Sequence, residues 1–308
     1  MELSVFKNEL QQELRAILDY WLQHTIDEQQ GGFYGRLDND NIAYADAPKG
    51  CVLNARILWT FSAAAVMTND WRYAKMANRA FAYIRDHFVD NEYGGVFWSV
   101  TSKGEIHDPK KQVYALAFVL YACSEYYIAM HNEPAKQLAI DLYNLMQQKS
   151  FDPVHGGYYE AFSRNWQPLD DLRLSNKDAN EKKTMNTHLH VLEAYTCLYS
   201  IWPNEQLKAH IKGLLANFEQ HIIDQHTGHL HLFFDEQWNV RSDTVSYGHD
   251  IEASWLLLEA AEVIGDKELI SKMKTLAIKM AEAVIIGVDV DGGLWYEYEA
   301  VHNRLIKE

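Results

Sequence analysis

The sequence predicts an all-α fold, an (α/α)6-type toroid of helical hairpins joined by short β-hairpins. Three observations predict it. A glycine–aromatic motif recurs at near-constant spacing, half-apolar and wholly apolar helices alternate between its copies, and no Pro-, Gly- or Ser-rich linker divides the 308 residues.

The motif is Gly-Gly followed by aromatic or apolar residues. It reads Gly31-Gly32-Phe33-Tyr34, Gly94-Gly95-Val96-Phe97-Trp98, Gly156-Gly157-Tyr158-Tyr159 and Gly292-Gly293-Leu294-Trp295-Tyr296. A degenerate copy is Thr227-Gly228-His229-Leu230-His231-Leu232-Phe233. Starts at 31, 94, 156, 227 and 292 give steps of 63, 62, 71 and 65, the mark of a repeat architecture. Each copy reads as a turn and then a short strand, because glycine permits the positive φ of a tight turn.

Two helices are expected between copies. The segments near 5–25, 70–89, 133–149, 204–223 and 266–285 are amphipathic; in the fourth, Leu207, Ile211, Leu214, Leu215, Phe218 and Ile222 mark one face. The segments near 50–67, 111–128, 186–200 and 249–264 are apolar almost all round, so they are buried all round. The pattern fits an outer ring facing water and an inner ring lining the middle. Five outer and four inner helices make about nine of the twelve in a six-hairpin ring, and the next inner helix is due near 310. Residues 1–308 are therefore expected to form a single incomplete domain whose open edge can associate. An open α-solenoid is the alternative, but its repeats are shorter, at roughly 33–47 residues. The longest irregular stretch, about 160–185, is a candidate functional loop.

Composition narrows the function. With 28 basic and 43 acidic residues the net charge is −15, which argues against nucleic acid and anionic membrane surfaces. Cys51, Cys123 and Cys197 are odd in number, far apart and set in apolar helices, so they read as buried thiols of a reducing compartment. The start lacks a basic-then-apolar leader and no run is expected to reach the length of a membrane span; the expected location is cytoplasmic.

Every inner helix starts after a strand and turn, so the inner N-termini gather at one end of the ring. They carry Asn54 and Arg56, Gln112 and Tyr114, Asn186, His188 and His190, and His249 and Glu252. Polar groups recurring at buried helix starts are costly unless used or satisfied. His249 and Glu252 are three apart and share a helix face, which suits a histidine oriented by a carboxylate for acid–base work. His188 and His190 are two apart, so one of them points inward. Arg56 offers a permanently charged fork for a developing oxyanion.

Other candidates read as structural. His226, His229 and His231 have no acidic or cysteine partner at a recognised zinc spacing, so no metal is expected. Asp289 and Asp291 read as turn formers. Trp98, Tyr159 and Trp295 are packing residues or the wall of a sugar groove. No phosphate loop, dinucleotide fingerprint or nucleophile motif is present.

The stretches Asn186-Thr187-His188-Leu189-His190-Val191-Leu192-Glu193-Ala194-Tyr195-Thr196 and Tyr247-Gly248-His249-Asp250-Ile251-Glu252-Ala253-Ser254-Trp255, with Asn54-Ala55-Arg56, resemble the cellobiose 2-epimerase branch of the N-acylglucosamine 2-epimerase family. The similarity runs along the whole chain. It implies an α/α six-hairpin barrel that inverts C2 of the reducing-end glucose of a β-1,4-linked disaccharide through a cis-enediolate, with histidine acid–base catalysis and no metal or redox cofactor. By resemblance His249 is one of the acid–base pair with Glu252 beside it. Arg56 and His190 match positions at the enediolate oxygens, Tyr114 and Asn186 match substrate contacts, and Asp178 matches a loop contact; His188 is kept as a substrate-contact candidate. In the family, later inner helices supply sugar-holding tryptophans and a second histidine, and no residue after Glu308 supplies them here, so this chain is expected to lack normal turnover. His302 precedes the expected helix and is not cast as a substitute. A glycoside hydrolase on the same barrel would need two carboxylates across a cleft, for which Glu252 and Asp178 are the candidates. A non-catalytic sugar-binding remnant is the third class.

Overall fold

The computed structural model describes residues 3–299 and 301–307. The outer helices are α1 (Leu3–His24), α3 (Trp71–Tyr83), α5 (Glu133–Lys149), α7 (Glu205–Asn217) and α9 (Lys267–Val284). The inner helices are α2 (Cys51–Thr68), α4 (Val113–Met130), α6 (Met185–Ile201) and α8 (Tyr247–Ile264). All nine lie where periodicity places them, because the wholly apolar segments can be satisfied only between two layers of neighbours.

The two rings begin differently. After α1, each outer helix starts on a side-chain cap. Asp70, Asn132, Asn204 and Asp266 accept from backbone N–H groups of their own first turns. Inner helices start instead from short strands: β1 (Lys49–Gly50), β4 (Lys111–Gln112), β6 (Lys183–Thr184) and β8 (Thr244–Ser246). Each pairs antiparallel with a strand of the following repeat, namely β2 (Ser99–Val100), β5 (Ala161–Phe162), β7 (Phe233–Phe234) and β9 (Glu297–Glu299). The strands β3 (Ile106–Asp108) and β10 (Arg304–Ile306) add to β2 and β9. The inner helices pack in chain order, α2 on α4, α4 on α6 and α6 on α8, an arc with α2 and α8 at its ends. On α8, Ile251 and Trp255 are exposed.

Two expectations need correction. The glycine–aromatic copies are not strands, apart from Phe233, where the degenerate copy runs into β7. Each closes a turn and makes one β-bridge back, as Phe33 does to Ile26 and Tyr158 to Phe151. The flanking segments then diverge, one arriving from an outer helix and the other leaving for an inner one, so the ladder stops. Contrary to the expectation that no run reaches membrane length, α2 and α4 are each 18 residues long and apolar enough to pass for spans by length and composition. Both lie within the helical layers, and α4 buries eleven of its side chains.

A buried ion pair ties turns to inner helices. Asp27, Asp90 and Asp152 each accept two backbone N–H bonds within their turn and a Lys Nζ–H, from Lys49 at 2.8 Å, Lys111 at 2.7 Å and Lys183 at 2.8 Å. Each lysine stands two residues before an inner helix. Burial opposes ionisation of these aspartates, yet the lysine and turn hydrogen bonds, with Arg164 acting ahead of the lysine on Asp90, hold their carboxyls below the usual range. Removing one partner of such a pair costs about 3–5 kcal/mol. In the fifth turn Lys307 reaches Asp289 at 3.0 Å, in an exposed version of the same contact.

Candidate active site

Counted from the first residue of each inner helix, four structurally equivalent positions sort the polar residues. The sixth position holds Arg56, Phe118, His190 and Glu252, and these converge. Arg56 donates to Tyr114 Oη at 3.3 Å and lies 4.6 Å over the Phe118 ring. The His190 ring packs against Phe118 at 4.6 Å and edge-on to Tyr114 at 5.1 Å. Glu252 has its carboxyl pushed up by burial, with His190 and Arg56 pulling the other way. Burial likewise raises the Tyr114 phenol, against the nearby Arg56 charge.

The fourth position faces away, toward the repeat's own turn. His188 is buried with both ring nitrogens engaged: Nδ1 is 2.6 Å from the Thr184 carbonyl and Nε2 accepts from Tyr158 N–H at 2.9 Å. Asp250 does the same in the next repeat, accepting from Leu230 N–H at 2.8 Å and pairing with His229 Nδ1 at 2.7 Å. His188 is therefore a turn-holding residue, and the structure does not bring it to the cleft as a substrate contact. Burial lowers its pKa to about 4, keeping the ring neutral. Gly157 is pinned by the same contact. It has φ +79°, and a Cβ there would lie 2.6 Å from His188 Nε2 and 2.5 Å from the Trp238 ring.

The expected His249–Glu252 pair is not a hydrogen-bonded pair. His249 Nδ1 lies 2.7 Å from Ser246 Oγ. The histidine oriented by a carboxylate three residues on is His190, whose Nδ1 is 2.9 Å from Glu193 Oε2. The helical spacing was right and the address was wrong, because i,i+3 proximity does not say which nearer acceptor a short side chain reaches. Burial lowers the His249 pKa, the neighbouring His190 adds to this, and Asp250 and Asp178 oppose it.

His249 and Asn186 line a cavity of about 520 Å³ between the 172–181 loop and the β9–β10 hairpin. Asp178 lines it too, while its Oδ2 accepts from Ser175 N–H and closes the loop on itself. Sequence reasoning named Gln112 without a role. It is buried, and its amide donates to the carbonyls of Leu172 and Arg173, so it carries the loop. It also missed Glu160, a buried carboxyl that accepts from Thr184 N–H at 2.8 Å and from Thr187 Oγ at 2.6 Å and sets the start of α6. Burial pushes its pKa to about 8. Aligning the inner helices by their first residues would have shown the sixth-position set; no sequence signal distinguishes Glu160 from a surface residue.

The remaining candidates have local partners, and Trp295 also lines a surface pocket with His249 and Glu252. His229 is held by Asp250, His231 packs edge-on to Phe234, and the backbone N–H of His226 is bound within its turn by Asp224. Asp289 and Asp291 accept backbone N–H bonds in their turn. Trp98, Tyr159 and Trp295 each carry a lysine ammonium over the ring, from Lys110, Lys183 and Lys307. Cys51 and Cys123 are buried free thiols whose pKa values burial raises; Cys197 is partly buried.

Known proteins give this geometry a context. The profile of the N-acylglucosamine 2-epimerase family matches residues 31–305. A cellobiose 2-epimerase of Bacteroides fragilis is 48% identical over 295 residues, spanning 96% of this chain and 75% of that protein. A cellobiose 2-epimerase of Dictyoglomus turgidum is 36% identical over 96% of this chain and 76% of its own length. The solved cellobiose 2-epimerase of Bacillus thermoamylovorans superposes with a TM-score of 0.94 at 38% identity, covering 99% of this chain and 78% of that one. The chain therefore belongs to the N-acylglucosamine 2-epimerase family of sugar epimerases and isomerases.

Proposed function

We propose that this chain acts on C2 of the reducing-end glucose of a β-1,4-linked disaccharide such as cellobiose, through a cis-enediolate. The observation that supports it is the convergence of Arg56, Tyr114, His190 and Glu252, with His249 near His190 and lining the adjacent cavity. Once the sugar ring is open, the C2 proton lies next to a carbonyl, and its removal places negative charge on the C1 oxygen. His249, kept neutral by burial, is the base. Arg56 and His190 stand where N–H donors can meet the charge on O1 and O2. Tyr114, Asn186 and Asp178 contact the sugar hydroxyls. Each step moves a proton between carbon, nitrogen and oxygen, with no net electron transfer to the protein, so the residues named suffice without a redox group.

Proton removal and inversion are separable. Inversion requires the new proton on the opposite face of the enediolate, whereas exchange requires only removal and return. Incubation of cellobiose with the protein in D₂O, followed by NMR, reads deuterium at C2 and the mannose-ended product independently. Deuterium at C2 is expected, and its entry should slow by about 10²–10⁴-fold in His249→Ala. Release of free glucose would indicate hydrolysis instead, and a bound sugar whose C2 proton never exchanges would refute the epimerase reading.

A further inference from the structure

The start of α8 contains an arrangement found at no other inner-helix start. Ser246 occupies the N-cap position, where serine ordinarily accepts from a backbone N–H of the first turn. Its side chain makes no such cap. The equivalent residue of α6, Thr184, does cap, accepting from Thr187 N–H at 3.1 Å. Ser246 is buried, its backbone lies in the β8–β9 ladder opposite Glu297, and its Oγ is spent on His249 Nδ1 at 2.7 Å.

The choice of acceptor matters for chemistry. An imidazole can serve as a base only through an unprotonated nitrogen, and which nitrogen is bare depends on the hydrogen bond made by the other. A carboxylate at Nδ1 would fix the ring and also stabilise the imidazolium. A hydroxyl fixes the ring without adding charge. The two cleft histidines divide these options: Glu193 supplies a carboxylate to His190, and Ser246 supplies a neutral oxygen to His249. The charged or titratable groups acting on His249 are His190 on α6, Asp250 on its own helix and Asp178 in the loop, and Glu252 and Lys307 line a pocket with it.

We propose that Ser246 is the positioning residue of His249: its hydroxyl accepts from Nδ1–H, and so leaves Nε2 unprotonated toward the cleft. When Nε2 takes the C2 proton, Nδ1–H keeps the same bond and the ring becomes imidazolium. Return of that proton from Nε2 to carbon restores the starting tautomer, so one hydrogen bond serves both directions. The inference rests on the epimerase reading for its consequence but not for its primary test.

That test is the long-range ¹H–¹⁵N spectrum of histidine-labelled protein, which reports the tautomer of each ring directly. The neutral His249 ring is expected as the Nδ1–H tautomer. In Ser246→Ala it should move toward Nε2–H, and Ser246→Thr should restore it. Because the hydroxyl caps no backbone group, Ser246→Ala should keep the circular dichroism of the parent, with a melting temperature lowered only by the loss of one side-chain hydrogen bond. C2 exchange should fall about 10- to 100-fold in Ser246→Ala with KM little changed, as for other groups that orient a reacting residue. An Nε2–H tautomer in the parent, or the same tautomer in parent and Ser246→Ala, would overturn the assignment. An Nδ1–H tautomer that responds to Ser246→Ala in a protein without any C2 exchange would uphold Ser246 and defeat the epimerase reading instead.

Discussion

The entrances of α6 and α8 are built from the same repeat and are used in opposite ways. At α6 nearly every polar group is committed to holding the backbone. Lys183 clamps Asp152, Thr184 caps the helix, Glu160 binds the first turn, and His188 holds the neighbouring turn. At α8 the clamp position is Val245, the cap serine turns to a histidine ring, and Asp250 alone does the work of His188. A heavily tied entrance presents His190 in one place. A lightly tied one frees Ser246 and His249 from structural duty. The difference teaches that histidines two residues or one repeat apart can differ wholly in role, and that the hydrogen-bond inventory separates them where sequence spacing does not.

The largest expected effect lies at α8. His249→Ala should reduce C2 exchange by about 10²–10⁴-fold, the usual contribution of a general acid–base group. The melting temperature should stay near that of the parent. Retained exchange with an intact fold would remove His249 from the chemistry and erase the contrast.

Arg56→Ala should lower turnover by about 10²–10³-fold, as expected for a donor to developing charge. Arg56→Lys should not rescue it, because lysine cannot bond Tyr114 and an oxyanion with one planar fork. A raised KM with unchanged kcat would reduce Arg56 to a substrate-holding role.

At α6 the sign of the readout should reverse. His188→Ala leaves the Tyr158 N–H and the Thr184 carbonyl without side-chain partners, at about 1–3 kcal/mol for each buried group. Denaturant titration should show that loss. The same residue carries a pH signature. Its folded pKa, about 4, is below the unfolded 6.5, so the unfolded chain binds the extra proton between them. The stabilisation is complete above pH 6.5 and is lost as pH falls toward 4, and that part of the profile should flatten in the variant. An unchanged midpoint across this range would mean that His188 is free for the cleft after all.

A second pH signature, of opposite slope, concerns Glu160. Its folded pKa of about 8 exceeds the ordinary 4.5, so the folded state holds a proton the unfolded state has released. Stability from this group declines as pH rises from 4.5 to 8 and is flat above. Glu160→Gln keeps an acceptor for Thr184 N–H and should remove that slope, leaving stability at pH 8 equal to or above that of the parent. A parallel pH profile in the variant would place the ionisation elsewhere.

The helices were legible because burial on one side or on all sides leaves an unambiguous period in the sequence, as in Leu207 through Ile222 or Val113 through Leu120. The glycine turns were legible because positive φ favours glycine. The second turn of each repeat was not: its positive-φ residue is Asn41, Gly104, Trp166, Trp238 or Asn303, and tryptophan announces nothing about backbone conformation. The cleft was readable as a set of residue types at helix starts. Which of them face inward needed the true first residue of each helix, and the partners of His249 and His190 needed coordinates. Lys49, Lys111 and Lys183 escaped notice because a lysine beside a strand reads as a solvated charge until its aspartate is found.

Those lysines also have a consequence for how the protein can vary. Asp and Lys of a clamp are 22 residues apart in the first repeat, 21 in the second and 31 in the third. The additional length of the third is loop, the one that carries Asp178 over the cavity. The clamp works as an index mark in these three repeats: at each separation the lysine returns to its aspartate and the helix begins two residues later. The longer loop of the third repeat thus leaves His190, the sixth residue of α6, grouped with Phe118 and Tyr114. Innovation at the rim is mechanically insulated from alignment in the centre.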